Sequence, residues 1–372
     1  MPSDSSAAMH DFLSRAGWGA ASVTPLAGDA STRRYFRVAL PSRKAMLMDQ
    51  PQNAEAPVAA PDATPEQRRA LGYNAVAQLA GGDCGRFVAA ANYLRERGLT
   101  APDIYAADLE NGFILLEDLG DDLYFDLMEN GADEHTLYSA AIDALAKLHA
   151  ESAPAFLAPD KPLLHHDEIA QLAETDLITE WFMPVALGRA ATDAETTEHR
   201  ALWREVLKAP LAAPTVFAHR DYHAQNLLWL PERRGIARVG MLDFQDAVAA
   251  TKSLDLISLI EDARRDVSPE LGEAMTQRYL ADMREQGMPL EEEEFRAQAA
   301  AIAAQRNAKI AGIFARLYKR DGKPRYLNYL PRVWGYLNKD LEHPAMAPLK
   351  RWYDRVIPVD VRGTPKLEGL PA

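Results

Sequence analysis

Cys84 is the sole cysteine in a chain of 372 residues, which excludes an intrachain disulfide and a cysteine-rich metal centre and suits a reducing compartment. Long apolar runs are missing too. No stretch approaches the roughly 20 apolar residues of a membrane span, and MPSDSSAAMHDFLSRAGW at the N-terminus lacks the basic-then-apolar pattern of an export signal. A cytoplasmic location is the expectation. Positive charge is scarce: 41 Lys and Arg stand against 54 Asp and Glu, a formal net charge of -13. DNA and anionic membrane surfaces would be repelled by such a chain unless its basic residues were segregated on one face. The expected partners are therefore small molecules, not nucleic acid or membrane, and the chain is expected to act as a monomer. No internal repeat is visible. What is present is 48% hydrophobic and 26% charged residues, enough for a full core and, by length, roughly two to three domain-sized units.

The chain changes character near residue 119. Before it, RRYFRVAL (33–40) and KAMLMDQ (44–50) read as strands joined by a Pro-Ser turn, and the stretch 103–120 carries an Asn111-Gly112 hairpin signal. A small antiparallel sheet is predicted. A Pro- and Ala-rich loop at 51–65 leads into helical patterns near 65–80 and 85–98. After residue 119, apolar residues recur at spacings of three and four over most of the chain, as amphipathic helices require. The predicted fold is α+β with two lobes, 1–118 β-rich and 119–372 mostly helical.

One helical-half segment carries strand signals and a dense set of polar groups: VFAHRDYHAQNLLWLPERRGIARVGMLDFQDA, residues 216–247. His219-Arg220-Asp221 followed by Asn226 has the spacing H-R-D-x-x-x-x-N of a kinase catalytic loop. Phosphoryl transfer needs a carboxylate that accepts the proton of the attacking hydroxyl, and oxygen ligands that hold Mg²⁺ against nucleotide phosphates. Asp221 is the candidate base, and Asn226 is a candidate metal ligand. The following residues read as two strands and a turn that deliver Asp243, the second metal ligand, at a strand end. Gln245 follows where protein kinases have the glycine of DFG, and no APE motif lies downstream, which points to a constitutively formed small-molecule kinase.

On LAGDASTRRYFRV, AMLMDQP, GFILLEDLGD, AHRDYHAQNLLWL, GMLDFQDAVAATKSLDLISLIEDA and GIFARLYKRDGKPRYL, the chain resembles the aminoglycoside phosphotransferase family, a small-molecule branch of the protein-kinase-like fold. Within it the resemblance is to bacterial cell-wall-recycling kinases that phosphorylate the anomeric hydroxyl of N-acetylmuramate and N-acetylglucosamine. It implies ATP and Mg²⁺ as cofactors, Asp221 as base, Asn226 and Asp243 as metal ligands, and backbone groups from Glu117 to Leu119 as the adenine contact. Other small-alcohol kinases, of aminoglycoside, choline or homoserine type, are the runner-up reading. A pseudokinase-like binding module is the alternative from another class, and retention of the base and both metal ligands speaks against it.

The chain departs from the wider family at two linked positions. The strand-three lysine falls near Met48 and its helix partner, a glutamate, near Phe87, so both charges are replaced by apolar residues. Losing one alone would leave a buried unpaired charge at a cost of about 3 to 5 kcal/mol, whereas losing both is close to neutral. The phosphates then need other partners. Candidates are the backbone of Gly28 to Thr32, including Ser31 and Thr32, and the side chains of Arg33 or Arg34, with Lys44 at the strand start a weaker one.

Acceptor contacts are assigned more broadly. Arg220 and His223 flank the base, and Glu180 with Trp181 lies on a helix of the acceptor half. The cluster RLYKRDGKPR (316–325) sets Arg316, Lys319 and Arg325 among five cations against Asp321. As structure, it is a helix C-terminus stopped by Gly322 and Pro324, where cations suit the dipole. As function, part of it reads an anionic acceptor, and a cationic aminoglycoside would be disfavoured. His165 and His166 read as capping or surface residues, and the acidic run 291–294 as a solvated helix start.

Overall fold

The computed structural model describes residues 4–26, 32–51 and 58–363. The chain divides into two compact units, one of Met1–Ala144, Pro154–Leu164 and His219–Val248, the other of Leu145–Ala153, His165–Ala218 and Ala249–Ala372.

The first unit is built on a five-stranded antiparallel sheet in the order β1-β2-β3-β5-β4, with β1 Ser22–Pro25, β2 Arg34–Leu40, β3 Arg43–Asp49, β4 Ile104–Asp108 and β5 Phe113–Leu116. Leu40 pairs with Arg43, so Pro41 and Ser42 make the turn that the sequence indicates. At the β4–β5 connection Gly112 takes φ 79°, a conformation that favours glycine. Helix α1 (Asp4–Arg15) and strand β1 were not read from the sequence. Their signal was an apolar set at helical spacing: Phe12 and Leu13 enter one cluster with Trp18, Val38, Leu47 and Leu115, and Phe12 stacks on Phe113 at 5.7 Å. This cluster anchors the sheet on one face.

The pattern at 65–80 is broken. Helix α2 (Pro65–Leu71) starts with a capping box between Thr64 and Gln67 and ends at Gly72, whose φ of 98° stops the helical path; the short α3 (Tyr73–Val76) follows. Helix α4 runs Cys84–Glu96, capped by the Asp83 side chain.

The second unit is helical, with its longest element the 30-residue helix Glu292–Asp321, which begins inside the acidic run and ends at a left-handed Gly322, φ 65°. Against it packs the helix Glu168–Leu177, closely enough that a side chain at Gly312 would meet Leu177 Cβ at 2.4 Å. Leu177 leads straight into a π-helical turn, Ile178–Phe182. His166 departs from the sequence expectation. It is 5% exposed with Nε2 2.8 Å from Glu174, and Gln305 and Lys309 meet the same carboxylate. The helix cap is instead Asp167, which accepts from the N–H of Ala170.

Candidate active site

In the first unit, Leu227–Trp229 and Val239–Met241 pair antiparallel, Leu227 opposite Met241. The N–H of Leu242 donates to the carbonyl of Asn226 at 2.9 Å, which extends the ladder by one step and sets Asn226 and Asp243 at the same end of the hairpin. Asn226 Nδ2 donates to the Asp221 carbonyl at 2.9 Å. With its nitrogen so engaged, the amide is oriented to offer Oδ1 as an acceptor. Asp221, the residue before a buried Tyr222 whose hydroxyl donates to the Ala141 carbonyl at 2.8 Å, is half-buried. The expected base and both expected metal ligands are thus brought together.

The local backbone is unusual in a concentrated way. Among the described residues, the non-glycine residues with positive φ are Gln78, Arg220 and Asp243, at 57°, 78° and 60°. Such conformations cost on the order of 1 to 3 kcal/mol and persist only where surrounding contacts enforce them. The enforcing contacts are visible. Arg220 is 2% exposed and donates to the carbonyls of Ala77 and Gln78 at 2.9 and 3.2 Å. Phe244 lies between Phe87 of α4, 4.8 Å away ring to ring, and the fully buried His219 at 6.5 Å, with Tyr222 5.5 Å beyond His219. A continuous chain of ring contacts, edge-on at His219, therefore joins the HRD and DFQ segments, and Phe87 has a packing role of its own.

Gln245 acquires a role as well. Its Nε2 donates to Asp243 Oδ1 at 2.9 Å and to Asp246 Oδ2 at 3.3 Å, while Asp246 accepts from the N–H of Ala80 at 2.6 Å. Arg33 approaches the same Asp243 oxygen at 3.3 Å, with only 12% of its side chain exposed. Although 45% of the Asp243 side chain is exposed, the protein packed around its carboxyl pushes its pKa up. Asp221 and Asp246 push the same way, against the pull of Arg33 and the Gln245 hydrogen bond. A carboxylate held in this state gains from an added cation. One carboxylate and one amide oxygen fit Mg²⁺, which takes few protein ligands and completes its shell with phosphate oxygens and water. Among the described residues no group of three or more His, Cys, Asp or Glu could hold a metal by itself.

The remaining sequence candidates separate. Ser31 lies outside the described residues, as do Gly28, Asp29 and Ala30. Thr32 Oγ1 accepts from Gln50 Nε2 at 3.2 Å. Arg34 pairs with the buried Asp49, and Lys44, largely exposed, lies 3.5 Å from Asp118, so Arg33 is the arginine beside Asp243. The Glu117 carboxylate is engaged by Arg233 and by the N–H of Asp103, and its own N–H donates to the Asp103 carbonyl. Its carbonyl and the N–H of Leu119 have no such partner among the described residues, as a hinge that pairs with adenine requires. Arg220 donates to the carbonyls of Gln78 and Ala77 in a buried setting, contacts that hold the loop. His223 is 7% exposed with Nε2 3.4 Å from Asn226 Nδ2, a position that supports the Asn226 side chain.

The second unit holds the other acceptor candidates. The π-turn presents Glu180 exposed and Trp181 half-exposed, while the next ring, Phe182, is buried 4.9 Å from Trp334. Extra turns of this kind recur at functional sites because they rotate successive side chains out of helical register. Packing raises the pKa of Glu180 against the opposing pull of Arg200 and Arg316, so Glu180 and Arg316 share one electrostatic neighbourhood. Lys319 is exposed in the last helical turn. Arg325 is exposed too, 5.2 Å from the Tyr326 ring, and Arg320 is bound to Asp321.

Sheet order, helical second unit and HRD–DFQ hairpin define a protein-kinase-like phosphotransferase. The sequence pattern of the phosphotransferase enzyme family (APH) matches residues 22–290, and the chain belongs to that family. It is an enzyme, a kinase. It is 47% identical to the N-acetylmuramate/N-acetylglucosamine kinase of Caulobacter vibrioides over 97% of this chain and 99% of that protein. With the protein of the same name from Pseudomonas putida the identity is 32%, over 92% and 91%. Among solved structures, a microcompartment-associated aminopropanol kinase aligns with TM-score 0.59 at 14% identity, covering 92% of this chain and 98% of that one. The ADP-bound aminoglycoside phosphotransferase APH(2'')-Ib aligns at 0.54 and 14%, covering 94% and 99%. These distant structures speak for the fold alone.

Proposed function

We propose that this kinase transfers the γ-phosphoryl group of ATP to the anomeric hydroxyl of N-acetylmuramate and N-acetylglucosamine in cell-wall recycling, acting as a cytoplasmic monomer. The observation that carries the substrate reading is the near-full-length similarity to the Caulobacter kinase. In this reading residues 1–118 form the nucleotide lobe and 119–372 the catalytic and acceptor lobe. Asp221 orients the sugar hydroxyl and takes its proton as the sugar oxygen bonds to the γ-phosphorus and the bond from that phosphorus to the β–γ bridging oxygen breaks, releasing ADP. Asn226 and Asp243 would hold Mg²⁺, which would neutralise charge on the phosphates. Arg33 stands in for the absent strand-three lysine, and the backbone at Glu117 and Leu119 pairs with adenine. Catalysis is then chiefly positioning and charge stabilisation. Trp181 offers a ring face for the pyranose, Glu180 an acceptor for its hydroxyls, and Arg316, Lys319 or Arg325 a cation for the lactyl carboxylate.

The test is ADP release with Mg²⁺ and ATP across a panel of N-acetylmuramate, N-acetylglucosamine, choline, homoserine and kanamycin. Turnover confined to the two amino sugars is expected. Turnover confined to any of the others would reject the substrate assignment while leaving the kinase chemistry intact.

A further inference from the structure

Lys252 sits where a lysine is hard to explain. It immediately precedes the helix Ser253–Ile260 and is 8% exposed. Among the described residues its ammonium has no hydrogen bond or ion pair, and burial alone acts on its pKa, downward. A cation at a helix N-terminus also lies at the unfavourable end of the dipole. Capping does not require it, because Thr251 Oγ1 accepts the N–H of Ser253 at 3.2 Å. Burial, lack of a counter-charge and the dipole all disfavour the charged lysine, and one anion would relieve all of them.

There is room for one. Lys252 lines a cavity of about 500 Å³ within the second unit, together with Pro214, Met288, Phe295 and the exposed carboxylates Glu291 and Glu294. Those carboxylates disfavour a bare anion and can accept hydrogen bonds from N–H or O–H groups. From this arrangement we propose that the cavity is a binding site for a small carboxylate or phosphate ester, its anionic head on Lys252 and its N–H or O–H donors on Glu291 and Glu294. The class includes amino acids, whose ammonium suits the acidic border, and sugar phosphates, whose hydroxyls do. The site shares no residue with the proposed kinase machinery.

Calorimetry with L-alanine, glucose 1-phosphate and inorganic phosphate, each titrated into the full chain, tests it. The parent is expected to bind alanine or glucose 1-phosphate more tightly than inorganic phosphate, and which of the two binds identifies the source. Lys252→Met should weaken that binding about ten- to a hundredfold, as loss of a charge-assisted contact implies. Asp243→Ala, which alters the kinase site, should leave it unchanged. Without ligand, Lys252→Met should melt no lower than the parent, because an unpaired buried charge has been removed, and Lys252→Arg should retain binding. The proposal is overturned if the parent binds none of the three, if Lys252→Met binds as the parent does, or if Asp243→Ala abolishes the heat. A Lys252→Met protein that melts well below the parent would instead assign the lysine a structural role.

Discussion

The hairpin segment 219–246 and the basic helix end 316–325 were both singled out in the sequence, and they differ in how the protein holds them. In the first, Arg220 and Asp243 adopt positive φ, Asn226 is fixed to Asp221, and Gln245 orients Asp243. In the second, Lys319 and Arg325 lie exposed on an ordinary helix end and on the 3₁₀ turn beyond it. In the proposed reading the hairpin carries phosphoryl transfer, which constrains atoms to fractions of an ångström, and the helix end reads a flexible carboxylate, which tolerates long, solvated side chains. The comparison predicts that substitutions in the hairpin act on turnover whereas those at the helix end act on selectivity.

The largest effect is expected within the hairpin. Asp221→Asn should retain nucleotide binding and lower kcat by ~10²- to 10⁴-fold, as loss of a general base does. Asp243→Ala should instead weaken Mg²⁺-dependent ADP binding, read by calorimetry with and without the metal. If both variants lost metal-dependent binding equally, base and metal roles would not be separable as drawn. Next comes Met48→Lys. Met48 is 1% exposed between Tyr35 and Ile114, and Phe87 offers no carboxylate, so restoring the family lysine should destabilise the fold by about 3 to 5 kcal/mol in denaturant melts. Tighter ATP binding by a stable variant would contradict the placement of this strand.

At the helix end, neutralising Arg316, Lys319 or Arg325 singly should, for at least one of them, raise KM for N-acetylmuramate about ten- to a hundredfold more than for N-acetylglucosamine, which lacks the lactyl carboxylate. Equal changes for the two sugars in all three variants would reduce the cluster to a helix terminus. A further effect concerns acid stability. His199 is fully buried, receives Trp203 Nε1–H at 2.9 Å, and is held down to about 3 by burial. Unfolding raises its affinity for a proton, so its contribution to stability is fully present above about pH 6.5 and is lost as pH falls towards 3, at up to ~1.4 kcal/mol per pH unit. His199→Gln should flatten the pH dependence of the melting temperature in that window, and an unchanged slope would show that the imidazole is charged in the fold.

What the sequence disclosed follows the same division. Asp221, Asn226 and Asp243 lie within a short segment whose spacing is imposed by the hairpin itself, so they could be read without long-range information. The partners of Arg220 at Ala77 and Gln78 lie 142 residues or more away, and nothing in HRD announces them. The same holds for Phe87 on Phe244, for Arg33 on Asp243 and for the Glu174 network that buries His166. Strands β2 to β5 were legible from alternation and turn residues, but α1 and β1 acquire their meaning only when Phe12 meets Phe113. The break at Gly72 was marked by a glycine inside an otherwise helical pattern.

The most direct test of the account is the position of phosphate in the product. After reaction of N-acetylglucosamine with Mg²⁺ and ATP, the ³¹P signal should couple to the sugar's H1, and Asp221→Asn should give no such signal on the same timescale. Coupling to the H6 protons, or an undiminished H1-coupled product from the variant, would contradict an anomeric kinase with Asp221 as its base.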